Sequence, residues 1–263
     1  MTRIPHTLAE LGPGDSLGIG FSAMLCGVDK YFALDVVEYS NNPRNLEIFD
    51  ELVDMFRARA PRPTKGWPDF DEFLDTRLFP SHILTDELME SALSPERVAS
   101  IRRAIQNLGQ TVDGISISYV VPWSNPEIIE HSSVDLVISH SVLEHVSDLE
   151  ATYHALYSWL KPQGRISHQI DFTSHGLSNE WNGYRAYSQW LWKIILGKRT
   201  FLINREPYST HLDLILHSGF QLDIVLKRIQ IDGIPRNKLD KSWKAISDED
   251  LNCSGVFLQA TKP

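Results

Sequence analysis

"LAELGPGDSLGIGFSAMLCGV", Leu8 to Val28, decides the fold. Its first residues are apolar apart from Glu10, and the run breaks at Gly12-Pro13-Gly14. Asp15 or Ser16 is placed to cap a helix, in which Leu17, Gly20, Phe21, Met24 and Leu25 share one face. Gly27 is placed to stop it. "YFALDVV" (31–37) follows as a continuous apolar strand ending in Asp35. Strand, glycine turn, helix, strand is one βαβ unit, and such units build parallel sheets.

Outward from this unit the alternation continues. Asn42 and Pro43 open a helix lined by Leu46, Phe49, Val53 and Phe56. Residues 59–114 interrupt the rhythm with "APRPTKGWPDFDEF" and two helices, one capped by Thr85 and one started by Ser94-Pro95. The second carries Val98, Ile101, Ile105 and Leu108 on one face and stops at Gly109. A structureless run of this length is improbable in a compact domain, so the segment reads as a helical insertion. "ISISYVV" (115–121) and "VDLVISH" (134–140) are strands. Asp148 caps a helix bearing Leu149, Tyr153, Leu156 and Leu160 that ends at "KPQG". "RISHQIDF" (165–172) is the next strand. An aromatic stretch over 173–205 reads as a second, lid-like insertion. A helix near 209–217, "FQLDIVLKRIQ", the capped turn "SDEDL" and "GVFLQAT" complete the chain. The expectation is a single α/β domain over 1–263, with a doubly wound, mostly parallel, Rossmann-like sheet of seven strands.

Composition excludes several classes. The 263 residues are 42% hydrophobic, with a net charge of −9. That charge argues against broad nucleic-acid binding, which needs a cationic surface. Two cysteines, Cys26 and Cys253, make no disulfide framework and fit a reduced, cytoplasmic setting. No stretch reaches the ~20 apolar residues of a membrane span. "YSQWLWKIILG" is the most apolar helical candidate and is too short.

The opening turn suits a particular ligand. Glycines between strand and helix let a ligand approach the backbone, at the positive end of the helix. Gly12, Gly14, Gly18 and Gly20 do not keep the G-x-G-x-x-G spacing of a nicotinamide site. Glu10 would repel a pyrophosphate; it serves a cationic ligand or orders the loop. Asp35 is placed to accept ribose hydroxyls. A ligand with ribose, positive charge and no phosphate is S-adenosylmethionine.

"ELGPGDSLG", "YFALDV" and "VDLVISHSVLEHVSDLEATYHALYSWLKPQGRI" together resemble class I S-adenosylmethionine-dependent methyltransferases, above all bacterial methyltransferase-domain proteins of polysaccharide or secondary-metabolite tailoring. The likeness covers roughly 7–172 outside the insertion, and the final strand pair. It implies a last strand that runs antiparallel. It implies cofactor binding by Glu10, Gly12, Pro13, Gly14, Asp15 and Asp35, with Ser139 near the methionine part. The sequence departs from the family at Ser16, where a third glycine is frequent, and before residue 7, where helices usually precede the first strand. After the third strand the family presents an acid or amide near adenine. Here Val121-Pro122-Trp123-Ser124-Asn125 stands there, and Trp123 is placed to pack on the ring.

Candidate catalytic residues follow the fourth and fifth strands, on the side where α/β sheets bind ligands. His145 and His175 are candidate bases, and Asp171 is placed to orient an imidazole. His140 and His145 each have a plain alternative as a partly buried, backbone-bonded residue, and His168, within a strand, reads as structural. Trp181, Tyr184, Tyr187, Trp190 and Trp192 form either a packed lid or an aromatic acceptor pocket. Arg185, Arg205, Lys198 and Arg199 hold an acceptor phosphate or carboxylate, or form a solvated face. The spacing of His, Glu and Asp around 140–148 and 171–175 matches no metal signature, and no metal is expected. The expected function is methyl transfer to an oxygen or nitrogen of a small molecule or glycan precursor. The rival is a catalytically silent S-adenosylmethionine-binding or interaction module on the same fold.

Overall fold

Strands β1 (Thr7–Leu11) and β2 (Lys30–Leu34) flank helix α1 (Gly18–Leu25) and pair in parallel, Thr7 opposite Lys30 and Leu11 opposite Leu34. The computed structural model describes residues 4–40, 42–61, 67, 78–123, 125–199 and 201–263. Most of "APRPTKGWPDFDEF" and Ser124 therefore lie outside the described residues. The chain divides into two compact units, Met1–Ile138 and Ser139–Pro263.

In the first unit the strands neighbour one another in the order β3-β4-β2-β1-β5. Here β3 is Thr111–Val112, β4 is Ile115–Val120 and β5 is Val134–His140. β4 joins β2 in parallel, Lys30 opposite Ser116. Helices α2 (Asn42–Arg57), α3 (Asp86–Ala92) and α4 (Pro95–Gln106) complete it. Thr85 and Ser94 cap α3 and α4 as expected, accepting from the N–H groups of Leu88 and Arg97. One core joins Leu8, Phe21 and Met24 to Phe49 of α2 and to Ile101, Ala104 and Ile105 of α4. Phe21 and Phe49 meet edge to face at 6.0 Å. Within the segment read as an insertion, α4 thus buries its apolar stripe in the main core, against α2 and β4.

Three expectations are corrected. The described residues hold eight strands, not seven. The addition is β3, which folds back on β4 through Asp113 and Gly114, both at positive φ. Asp-Gly is the dipeptide that a tight hairpin turn favours. Neither Asp15 nor Ser16 occupies the cap position of α1. Leu17 does, without a side-chain cap, while Asp15 pairs with Arg44 at 3.1 Å. β2 stops at Leu34, so Asp35 lies just beyond the strand.

In the second unit, β6 (Leu160–Asp171), β8 (Cys253–Thr261) and β7 (Gln221–Ile229) lie side by side in that order. β8 is antiparallel to both neighbours, pairing Thr261 with Arg165 and with Gln221. The final strand therefore runs antiparallel to its neighbours, as expected. Helices α5 (Leu149–Trp159), α6 (Gln189–Leu196), α7 (Tyr208–His217) and α8 (Asp248–Asn252) accompany it. Asp148 caps α5 through the Ala151 N–H at 2.9 Å. "KPQG" does not form a separate stop, because β6 begins at Leu160 directly after α5. No helix of the described residues is long and apolar enough to cross a membrane.

Candidate functional site

The glycine turn of the first unit is built around two acids. Gly12 and Gly14 both take positive φ, which glycine adopts without steric cost. The Gly12 N–H donates to the Leu34 carbonyl at 2.7 Å, so the turn stays beside the end of β2. Asp35 Oδ2 accepts from the Gly14 N–H at 3.2 Å, and its Oδ1 accepts from the Val36 N–H at 2.7 Å. The Asp35 carbonyl receives the Trp123 N–H at 3.0 Å, which places half-buried Trp123 at the same strand ends. A Cβ on Gly14 would meet nothing within 4 Å, so the backbone there is open to a close approach.

Glu10 is the second acid, only 4% exposed. Its Oε2 accepts from the Tyr31 hydroxyl at 2.5 Å. Burial pushes its carboxyl up to about 7, against the lowering effect of the Tyr31 bond. Tyr31 lies in the fold over Gly20, where a Cβ would come within 2.1 Å of the ring. Neither Tyr31 nor Gly20 stands out in the sequence as part of this site. The only signal for Gly20 is its place in the glycine series, which matches no nicotinamide pattern. Of the remaining cofactor candidates, Pro13 lies in the turn and Asp15 points outward to Arg44. The turn thus gathers Glu10, Gly12, Gly14, Asp35 and Trp123.

The second unit holds a different cluster. A tight turn over Leu143–His145 follows β5 and carries Glu144 and His145. His175, at positive φ in the loop after β6, comes back to it. The rings of His145 and His175 lie 5.1 Å apart, edge to face, and Phe201 covers His145 at 5.6 Å. His175 Nε2 stands 4.0 Å from Glu144 Oε1 and 4.0 Å from Asp171 Oδ2. All three expected catalytic residues are therefore brought together. Glu144, which the sequence reading did not single out, is their most buried neighbour. Burial lifts its carboxyl to about 8, and the nearby Asp171 charge adds to that. Burial, with His175 second, lowers the pKa of His145.

Asn204 holds this turn from a distance of some sixty residues. Its Nδ2 donates to the carbonyls of Leu143 and Val146, both at 2.8 Å, and its N–H donates to the Glu144 carbonyl at 2.6 Å. No sequence pattern marks it, because the pairing exists only once the chain has folded back.

Residues 85–167 match the sequence profile described as "Methyltransferase domain". The match is about a third of the chain and takes in α3, α4, β4, β5 and α5, with Glu144 and His145. No curated protein matches the chain. Among solved structures, an S-adenosylmethionine-dependent methyltransferase from Mesorhizobium loti is similar at 14% identity, covering 97% of this chain and 90% of that one, with a TM-score of 0.44. A counterpart from Methanosarcina mazei is similar at 11% identity over 99% and 93% of the two chains, with a TM-score of 0.48. Phosphoethanolamine N-methyltransferase 2 of Haemonchus contortus, solved with S-adenosyl-L-methionine, is similar at 14% identity over 99% and 49%, with a TM-score of 0.47.

The surroundings of the other candidate residues are as follows. Ser139 is buried, and its Oγ lies 2.7 Å from His168 Nδ1. His168 is fully buried and pushed down to about 3, so it is a neutral core residue, as the plain reading expects. Tyr184 and Trp192 pack with Ile203 in a small core of their own, while Trp190 is 72% exposed. Arg185 and Arg205 form no solvated face. Both are buried, with Arg185 over Trp243 at 4.9 Å and Arg205 over Trp192 at 4.4 Å. Only Lys198 and Arg199 are exposed.

Proposed function

We propose that the protein is an S-adenosylmethionine-dependent methyltransferase acting on an oxygen or nitrogen of a small molecule or glycan precursor. The observation that carries this reading is the turn at Gly12–Gly14 with its two buried acids, in a chain that also carries a methyltransferase-domain sequence. The residues fit the cofactor's chemistry. Asp35 keeps lone pairs for ribose hydroxyls beyond those used by Gly14 and Val36. Glu10 is a buried acid whose ionised form a cationic ligand would favour. Gly12 and Gly14 allow close approach, and Trp123 offers an aromatic face for a base.

When bound, S-adenosylmethionine supplies a methyl group activated on a sulfonium centre. The protein's main task is to hold donor and acceptor in line, which supplies several kcal/mol. His145, His175 and Asp171 are assigned to the acceptor's proton. Burial favours the neutral form of His145, the form in which a base acts, and Asp171 stands beside His175 to orient it or to balance its charge. Ser139 and Asp15 remain candidates at the margin of the cofactor, and Pro13 shapes its turn. The expected insertion at 173–205, and the part of 59–114 that precedes α4, are assigned to acceptor selection, because loops and inserts vary specificity without altering a core.

Calorimetry with S-adenosylhomocysteine and with NAD tests the cofactor, and transfer of labelled methyl to mixed small-molecule and glycan-precursor acceptors tests the activity. Binding of S-adenosylhomocysteine but not NAD, with transfer that falls ~10²–10⁴-fold in His145→Ala or His175→Ala, is expected. Binding without transfer to any acceptor would favour the silent module.

A further inference from the structure

Glu144 is 2% exposed, and no side chain among the described residues hydrogen-bonds its carboxylate oxygens, towards which only the backbone N–H groups of Glu144 and Asp171 are turned. A carboxyl this deeply buried is held in its neutral form unless a cation, such as a metal ion, pairs with it. Its neighbours are ligand-type groups. His145 Nδ1 is also buried without a hydrogen-bond partner among the described residues. His175 Nε2 faces both Glu144 Oε1 and Asp171 Oδ2, each at 4.0 Å. One donor atom from each of Glu144, His145 and His175 falls within 4.8 Å of the other two. With metal–ligand bonds of ~2.0–2.2 Å, ligands on a shared ion stand up to about 4.4 Å apart, so small side-chain rotations bring the three onto one centre.

We propose that Glu144, His145 and His175 bind a first-row divalent transition-metal ion, with Asp171 as a fourth protein group beside it. Two imidazoles and a carboxylate suit Mn²⁺, Fe²⁺ or Zn²⁺ better than the all-oxygen preference of Mg²⁺ or Ca²⁺. The frame is already set. Glu144 and His145 are consecutive in a turn that Asn204 fixes through three hydrogen bonds. His175, partly open to solvent, closes the set from the loop after β6. This inference departs from the linear spacing, which shows no metal signature because the third ligand comes thirty residues later on another element. Its catalytic meaning rests on the reading of this cluster as the acceptor side. An ion here lowers the pKa of an acceptor hydroxyl that it binds, and the two imidazoles then act as ligands rather than as free bases.

The test uses the full chain treated with EDTA and then freed of chelator. MnCl2 is titrated and followed by electron paramagnetic resonance, and ZnCl2 competes for the bound Mn²⁺. Wild type is expected to take up one Mn²⁺ that Zn²⁺ displaces and that MgCl2 does not. His175→Ala and Glu144→Gln are expected to weaken uptake at least about tenfold. His175 is partly exposed, so its variant retains the fold, which circular dichroism checks. Absence of Mn²⁺ and Zn²⁺ binding, or binding equally strong in both variants, overturns the site. S-adenosylhomocysteine calorimetry on the same samples separates the two readings. Loss of metal with cofactor binding intact sinks the ion site alone, whereas metal binding without cofactor binding leaves the site standing and sinks the methyltransferase assignment.

Discussion

The Tyr31 hydroxyl donates to Glu10 Oε2 at 2.5 Å, and this bond links the start of β2 to the end of β1. The ring reaches that position only because residue 20 carries no side chain. A Cβ there would stand 2.1 Å from the ring. Gly20→Ala is therefore expected to destabilise the protein by ~1–3 kcal/mol, the range for forcing extra volume into a packed core. Thermal unfolding checks this. The double variant Gly20→Ala/Tyr31→Phe should lose no more than Gly20→Ala alone if the displaced hydroxyl is the shared cause, and a fully additive loss would separate the two residues.

Glu10 gives the apo protein a pH dependence of defined sign. Its folded-state carboxyl is raised to about 7, above its ordinary value near 4.5. In the folded state the proton is thus held where the unfolded chain has released it. The resulting stability is present in full below the unfolded value and is lost as pH rises from about 4.5 through 7. A raise of this size corresponds to ~3 kcal/mol between the two limits. Melting temperatures of wild type and Glu10→Gln, taken from pH 5 to pH 8, should show the wild type falling relative to the variant. Parallel curves would remove Glu10 as the source.

Asp35 is the residue on which the ribose assignment depends. Asp35→Ala should weaken S-adenosylhomocysteine binding by ~1.5–3 kcal/mol, the usual worth of a hydrogen bond to a charged acceptor. Part of that loss comes from Gly14, whose N–H donates to Asp35 Oδ2. Asp35→Asn tests the difference, because its amide oxygen still serves Gly14. Affinity at the wild-type level in a folded Asp35→Ala chain would withdraw the assignment.

Asn204 positions Glu144 and His145 without belonging to their chemistry. Asn204→Ala removes two hydrogen bonds to the carbonyls of Leu143 and Val146 and should cost ~1–3 kcal/mol. Turnover at saturating cofactor should fall as well, with the S-adenosylhomocysteine affinity of the first-unit turn unchanged. Asn204→Gln, which keeps the amide at another reach, should recover less of the turnover than of the stability. Wild-type turnover in Asn204→Ala would show that the turn is held by other means.

Much of the site was readable because its signals are local. Gly12-Pro13-Gly14 between an apolar run and a helical stripe implies a turn at a helix start, and it stands there. Thr85, Ser94 and Asp148 each precede their helices by one residue, and each accepts the capping bond. Asp113-Gly114 was equally local, and its two-residue strand β3 is the one such signal that the expected strand count omitted.

The sequence by itself determined the order of strands and helices, the glycine turn and the acids near it, since periodicity, caps and turn residues act over a few positions. Tertiary structure decided the rest. It buried Arg185 and Arg205, placed Ile101 and Ile105 of α4 in the main core, and set Tyr31 against Glu10 across Gly20. It brought Glu144 and His145 to His175 and Asp171, and Asn204 to the turn that carries the first two. The reason is physical. Burial and hydrogen-bond partnership depend on which segments fold back on one another, and a carboxylate such as Glu144 becomes a demanding group only after the chain around it has excluded water.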